Sequence, residues 1–291
     1  YKNCRFNNSI FERPAGESSK FYFCSLNDCK IYNGDFRYCD FENTTFISRE
    51  DKCLIKNSNF SYGTFVNTNF ISTEIFGTPF REMIVDSCLF KNCELNSFGF
   101  ERTTIKNSTF ENIDMSRIVF RFCNFINVKF NNVTIHILDL AKNFGLIKEL
   151  VSQGENIKIF YGENNFIGLE EAIDWLPNLI PYYLNEKEYY YVINILMIND
   201  RFQEIWGILP EAFEYVINRK DFATLQDLCG LVVNLDIFDK SKLNQLYNII
   251  RLKATPNDLS NHQLKSYSTY LENIKNILLF PLYSCEKFGR I

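Results

Sequence analysis

The sequence predicts a chain in two segregated parts, a solenoid over residues 1–135 and an all-α helical-hairpin domain over residues 136–291. Three observations predict it. An apolar residue recurs at every fifth position through the first part, a period that belongs to neither a helix nor a strand. The residue two places before each apolar anchor is mostly small or β-branched. At residue 136 the five-residue register stops, and apolar residues recur at helical spacing instead.

With the anchor as position i, the register opens with Phe6, Phe11, Phe21, Leu26, Ile31, Phe36, Phe41 and Phe46. One slot, Gly16, lacks the anchor and is expected to bulge as a loop. A one-residue slip follows within residues 47–54. The count then resumes at Ile55 and runs without a miss to Ile135, seventeen anchors in succession. Position i−2 holds residues such as Cys53, Ser58, Gly63, Thr68 and Thr73. Two inward residues in five, with three polar ones between, describe a chain that turns a corner at each repeat and coils about an axis. Each coil then needs its neighbours to bury its core.

A small residue at i−2 with Leu or Phe at i resembles the pentapeptide-repeat family, over roughly residues 3 to 135. That resemblance implies a right-handed quadrilateral β-helix with four repeats per coil, and with the helical part it makes the fold class α+β. Residues twenty apart should then stack at a ladder spacing of about 4.8 Å. Two phenylalanine columns follow, Phe60, Phe80, Phe100, Phe120 and Phe70, Phe90, Phe110, Phe130. Stacked rings add roughly 0.5 to 1.5 kcal/mol per pair beyond burial. Another column, Ile55, Ile75, Leu95, Met115 and Ile135, is mainly aliphatic.

Eight of the ten cysteines, Cys4, Cys24, Cys29, Cys39, Cys53, Cys88, Cys93 and Cys123, fall at i−2. The interior corner beside a bulky anchor has room for a small side chain, and a free thiol behaves as a small hydrophobe. Cys24 with Cys29 and Cys88 with Cys93 have the look of paired metal ligands, but their spacing is the repeat period, and His136 and His262 are the two histidines available. No metal or cofactor is expected. So many buried thiols suit a reducing compartment, and the expected location is cytoplasmic, in a bacterium or in a host cell that receives an injected protein.

Positions i−1, i+1 and i+2 face outward. Arg81, Glu101 and Arg121 alternate in sign along one file, Glu82 lies below Arg102, and Asp86 lies below Lys106. A second file, Glu74, Glu94 and Asp114, is wholly acidic and is a candidate binding stripe, beside the simpler reading of a solvated face. Some pentapeptide-repeat proteins are DNA mimics that bind type II topoisomerases through a strongly negative surface. This chain departs from them: residues 1–135 carry 16 Lys and Arg against 15 Asp and Glu. Neither half is basic enough to suggest a nucleic-acid partner, and no apolar run is long enough to span a membrane.

Residues 136–154 place Leu138, Ala141, Leu146, Leu150 and Val151 on apolar faces, with Gly145 in a turn and Gly154 as a C-cap. The stretch looks like the helix-turn-helix of an ankyrin repeat without that family's Thr-Pro-Leu-His start, and it is read as capping helices laid across Phe130 and Ile135. Two helical hairpins should follow, with turns at Asn199-Asp200 and at Arg219 to Asp221, Pro210 opening a helix, and a capping box from Asn185 to Glu188. Helices at about 239–253 and 260–280 complete the domain. Tyr182, Tyr183, Tyr189, Tyr190 and Tyr191 cluster and are candidate contact residues, since Tyr is enriched at interfaces; packing in the core is the alternative.

Catalytic motifs are scarce. The chain has no Gly-rich phosphate loop, no nucleophile elbow and no paired-histidine zinc helix. Cys285, flanked by Lys287 and Arg290, is a weak candidate nucleophile. The expected function is a non-catalytic protein-interaction scaffold with a protein partner, a homodimer being a further option. The alternative is the substrate-recognition portion of a larger bacterial effector or defence enzyme. HECT-like ubiquitin ligases of that kind have a similar layout, a pentapeptide β-helix followed by a helical lobe and a distant catalytic cysteine. The absent initiator Met makes a fragment or processed chain the expectation.

Overall fold

The structure is a computed structural model and describes residues 1–50, 52–162, 165–219, 221, 224, 225 and 228. It forms two compact units, residues 1–176 and 177–291. The expected helices at 239–253 and 260–280, together with His262 and Cys285, lie outside the described residues.

In the first unit, short strands pair in parallel with the strands of the coil below, so that anchor stacks on anchor. Phe70, Phe90, Phe110 and Phe130 stack on one face and Ile55, Ile75 and Leu95 on the next. Phe80, Phe100 and Phe120 follow on the third, and Phe65, Val85, Ile105 and Phe125 on the fourth. The N-terminal half is therefore a β-helix of five-residue repeats with four faces, followed by helices. Helical anchor spacing would have scattered these residues around a cylinder; a corner at every fifth residue keeps them all inside.

Most corners are turned at i+2. Asn67, Asn92, Asn107 and Asn127 sit there at φ between 49° and 53°. This left-handed region is open to Asn at less cost than to most side chains, which is why the slot is so often Asn. The asparagines also bond along the axis: Asn132 Nδ2 donates to Asn112 Oδ1 and Asn112 Nδ2 to Asn92 Oδ1, both at 3.0 Å. At i−2, size is only half of the requirement. Thr103 Oγ1 donates to the carbonyl of Phe80 at 2.8 Å, Thr68 Oγ1 to Phe41 at 3.0 Å, and Cys93 Sγ to Phe70 at 3.2 Å. The slot takes a small donor that satisfies an inward carbonyl of the coil beneath, and a thiol does this as a hydroxyl does.

Two expectations about the register are corrected. Gly16 does not bulge: Ala15 bridges Asp35, the Gly16 N–H donates to the Asp35 carbonyl at 2.8 Å, and the Phe36 ring lies over the empty slot. The slip is a four-residue insertion. Phe46 pairs with Phe70, Phe41 with Phe65 and Ile31 with Ile55, twenty-four residues apart, where the coils on either side use twenty. The buried Asp28 carboxylate holds this loop by accepting from the Arg49 and Glu50 N–H groups, and Ser48 Oγ accepts from the Cys53 N–H at 2.7 Å.

The last coil is closed by α1 (Ile137–Lys142) and α2 (Phe144–Gln153). Buried polar side chains on these helices replace the missing next coil. Glu149 accepts from the Asn127 N–H at 2.8 Å and the Val128 N–H at 3.1 Å. Asn143 accepts from the Cys123 N–H at 3.1 Å and donates to the Phe120 carbonyl at 2.8 Å, while Asp139 accepts from the Phe120 N–H at 3.2 Å. On the face of Phe130, pairing continues instead: Phe130 faces Gly154, Ile135 faces Ile159, and strand Lys158–Gly162 turns back antiparallel as Asn165–Ile167. Gly145 lies inside α2 against Phe125, not in the turn, which falls at Asn143. Val151 is exposed, since the face that meets the coil is Leu146, Ile147 and Leu150. Gly154 ends α2 with extended backbone because it joins the sheet. Helix α3 (Leu169–Trp175) follows.

In the second unit, α4 (Ile180–Asn185), α5 (Tyr189–Ile198) and α6 (Phe202–Asn218) are described. The turn at Asn199-Asp200 is present. Pro210 does not open a helix; it lies inside α6, where the continuous apolar stripe of Ile205, Trp206, Leu209, Phe213 and Val216 carries the helix through the lost backbone bond. The capping box does not form. Asn185 ends α4, and Glu188 precedes α5 without a side-chain cap.

A candidate interaction groove on the repeat domain

The third face of the β-helix changes character halfway along, and the sequence reason is Pro79. Elsewhere the N–H at i−1 donates to the coil below, as Ile84 does to Gly63 at 3.2 Å and Thr104 to Met83 at 3.0 Å. Proline has no such donor. Below Pro79 this face is built of tight turns, closed by Ser19 N–H to Gly16 at 2.9 Å and Cys39 N–H to Phe36 at 3.2 Å. Above it, strands Pro79–Arg81, Phe98–Glu101 and Ile118–Arg121 form a three-stranded sheet.

The rings inside record the same change. Phe36 and Phe60 are parallel at 5.0 Å and 9°, Phe100 and Phe120 at 5.3 Å and 3°, while Phe80 stands edge-on to both neighbours at 73° and 80°. The phenylalanine column expected to be uniformly stacked is therefore turned at Phe80. The other column is stacked throughout, at 4.8, 4.9 and 5.4 Å.

Where turn meets strand, the outer surface is concave, with a volume near 470 Å³. Its floor is the i−1 file, Pro79, Gly99 and Val119, which has no long side chain. Gly99 is confined by its own neighbour, because a Cβ there would lie 3.1 Å from the Val119 carbonyl. Gly77, at φ +59°, and Ser97 form the low corner on one side. The i+1 file, Arg81, Glu101 and Arg121, forms the other wall, and Asn59, Ser61 and Tyr62 close the lower end.

The charges on that wall are unequally engaged. Glu101 is bound by Arg102 at 3.0 Å and approached by Arg81 at 3.7 Å, and Arg81 also lies 3.4 Å from Glu82. Arg102 in turn covers the Phe122 ring at 4.9 Å. Arg121 is exposed, and its guanidinium makes no ion pair among the described residues. Tyr62, 39% exposed, holds φ +65° and stacks on Tyr38 at 5.0 Å. That is the corner conformation of the i+2 slot, which Phe23, Tyr38 and Phe122 also hold.

The residues expected to bind are placed differently. Glu74 pairs in register with Glu94, and Lys52 lies 3.0 Å from the first and 3.9 Å from the second, so the file carries its own counter-charge. Asp114 is not stacked on Glu94 in a ladder; it faces Thr134 and accepts from the Ser116 N–H at 2.9 Å. Of the tyrosines, Tyr182 is exposed and Tyr190 half-buried, while Tyr183, Tyr189 and Tyr191 are buried. Tyr183 packs edge-on to Tyr182 and Tyr191, and Tyr189 donates to Glu211 at 2.6 Å. Burial and the neighbouring Glu211 push the Tyr189 hydroxyl up to about 12. His136 caps α1, its Nδ1 accepting from the Leu138 N–H at 3.1 Å, and burial lowers its pKa.

Four of the repeat thiols are held in the neutral form. Burial pushes Cys53, Cys88 and Cys123 up to about 12 and Cys93 to about 11. Among the described residues no group of three His, Cys, Asp or Glu side chains is arranged to hold a metal ion, and no helix is long and apolar enough to cross a membrane.

The groove escaped the sequence reading, although its signals are there: Pro79 and Gly99 in adjacent coils at i−1, and Tyr38, Tyr62 and Phe122 in a slot that otherwise favours Asn.

No family model and no curated protein matches this chain. Among solved structures, it is similar to QnrB1, a plasmid-mediated fluoroquinolone resistance protein with pentapeptide repeats. The full-length form is 11% identical, with 52% of this chain and 93% of that chain covered at a TM-score of 0.21. Two trypsin-treated forms are 12% and 14% identical, covering 46% and 44% of this chain and 71% and 83% of theirs, at TM-scores of 0.20 and 0.21.

Proposed function

We propose that this chain is a non-catalytic protein-interaction scaffold, in which a stiff β-helix presents the groove over Pro79, Gly99 and Val119 to a protein partner. The groove itself supports this reading most. It is a solvent-open concavity on a fully buried phenylalanine column, walled by Arg81 and Arg121 and ended by Tyr62, and Arg and Tyr are the residues that dominate interface energetics. The buried free thiols at Cys29, Cys53, Cys88 and Cys93 fit work in a reducing compartment such as the cytoplasm.

A photo-crosslinking side chain at Val119, in the groove, and at Ile126, on another face, tests the proposal in cells that make the protein. The expected result is one discrete protein adduct from position 119, none from 126, and loss of the adduct in the Arg81→Gln/Arg121→Glu double variant. Equal labelling from both faces, or no adduct from the groove, refutes it.

A further inference from the structure

We propose that the groove takes an extended acidic segment of its partner, with two carboxylates three residues apart bound by Arg81 and Arg121. This deepens the scaffold reading and rests on it.

The spacing comes from the ladder. Arg81 pairs with Glu101 and Glu101 with Arg121, so the two arginines stand two rungs apart, about 9.6 Å along the axis at about 4.8 Å per rung. A chain in polyproline II conformation advances about 3.1 Å per residue with three residues per turn, which brings residues i and i+3 to one side about 9.3 Å apart. The two repeats match.

The width of the floor selects the same occupant. Pro79–Arg81 spans about 7 Å between its outer Cα atoms and the four-residue strands Phe98–Glu101 and Ile118–Arg121 about 10 Å, no wider than the roughly 10 Å diameter of a helix with side chains. An extended backbone can lie on Pro79, Gly99 and Val119, where nothing longer than a valine projects.

Charge settles the sign. The carboxylates on this wall, Glu82 and Glu101, are engaged by Arg81 and Arg102, and the three arginines outnumber them. Arg121 is left with an exposed guanidinium that makes no ion pair among the described residues, and its planar fork suits a carboxylate bound through two oxygens. Glu82 and Glu101 also disfavour a dense polyanion, so an isolated pair of carboxylates fits better than a phosphate backbone.

The test is fluorescence anisotropy of the full chain with a labelled repeating Glu-Pro-Ala peptide, its Gln-Pro-Ala counterpart and labelled oligothymidylate. The Glu peptide should bind about tenfold or more tighter than the Gln peptide, and weaken as salt rises. Arg121→Glu should cost about tenfold in affinity, Arg121→Lys less, and Lys129→Glu, on another face, under about twofold. A melting temperature within a few degrees of the parent shows that each variant is folded. Absence of binding by the Glu peptide, equal affinity for Glu and Gln peptides, indifference to Arg121→Glu, or equal dependence of oligothymidylate on Arg121 each overturns the proposal. Should crosslinking at Val119 capture a partner while the Glu peptide fails, the scaffold reading survives and the acidic occupant does not.

Discussion

Glu149 offers the sharpest test of how the β-helix is closed. Its two carboxylate oxygens accept from consecutive backbone donors, Asn127 N–H at 2.8 Å and Val128 N–H at 3.1 Å, in places where lower coils use the next turn of chain. Asn107 N–H, one coil down, donates to the Ile126 carbonyl at 2.9 Å, and Cys88 N–H to Ser108 Oγ at 3.0 Å. Glu149→Ala leaves two donors facing an apolar helix with nothing to accept them. A buried unsatisfied donor costs about 1 to 3 kcal/mol, and since the Asn127 N–H is only part-buried the pair should cost about 1 to 4 kcal/mol. Glu149→Gln keeps one acceptor oxygen and turns an N–H group toward the other donor, so it should fall between. Urea unfolding measures the total, and native-state amide exchange locates it: Asn127 and Val128 should accelerate well before Phe120 and Cys123, which Asp139 and Asn143 still hold. A loss under about 1 kcal/mol, or uniform acceleration at all four amides, would refute the view that side chains stand in for a coil.

Three further outcomes follow from the same coordinates. Gly63→Ala should destabilise by at least about 1 to 3 kcal/mol in urea unfolding although alanine is small, because the added Cβ would run into the Cys39 backbone carbonyl where the chain turns at residues 61–62; a neutral result would mean the turn can relax. Burial raises the Asp139 carboxyl from 3.8 to about 6, so its ionisation weakens the folded state: this contribution is fully favourable below about pH 4 and is lost as pH rises through about 6. Asp139→Asn should therefore gain stability over the parent at pH 7 and lose that advantage near pH 4, read from urea midpoints across pH. Cys88 and Cys93, with thiols raised to about 12 and about 11 by burial, should resist iodoacetamide at pH 8 in the native protein and react on unfolding, site by site in a peptide map; ready native alkylation would sink the account of the i−2 slot.

The repeat was legible because one interaction dominates it. An anchor every five residues leaves no other way to bury Phe60 through Phe130, and the stacking of Phe70, Phe90, Phe110 and Phe130 follows from counting. Departures from the count were harder to read. Gly16 and the insertion before Ile55 look alike as gaps in a pattern, but one leaves the coil length at twenty and the other extends it to twenty-four; only the pairing of Ala15 with Asp35 and of Phe46 with Phe70 tells them apart. The capping helices are legible as helices, yet nothing in the sequence singles out Asp139, Asn143 and Glu149, since their partners are backbone groups that sequence does not display. Pro210 followed the general preference of proline for a helix start, and was overridden by an apolar stripe that continues on both sides of it. The groove arises from a mismatch between turn and strand on one face, a property of neighbouring coils compared with each other and of no single repeat.

The closure by Asp139, Asn143 and Glu149 bears on how copies of this protein can meet. A parallel ladder whose top rung is open is a template: another molecule's strands can dock on it, and the addition can repeat without limit into a fibre. On the two faces beneath α1 and α2 that template is already spent on side chains, so lengthwise accretion there is blocked at the first step. Whatever this solenoid gathers on those faces must come from the side, across the flanks of its coils.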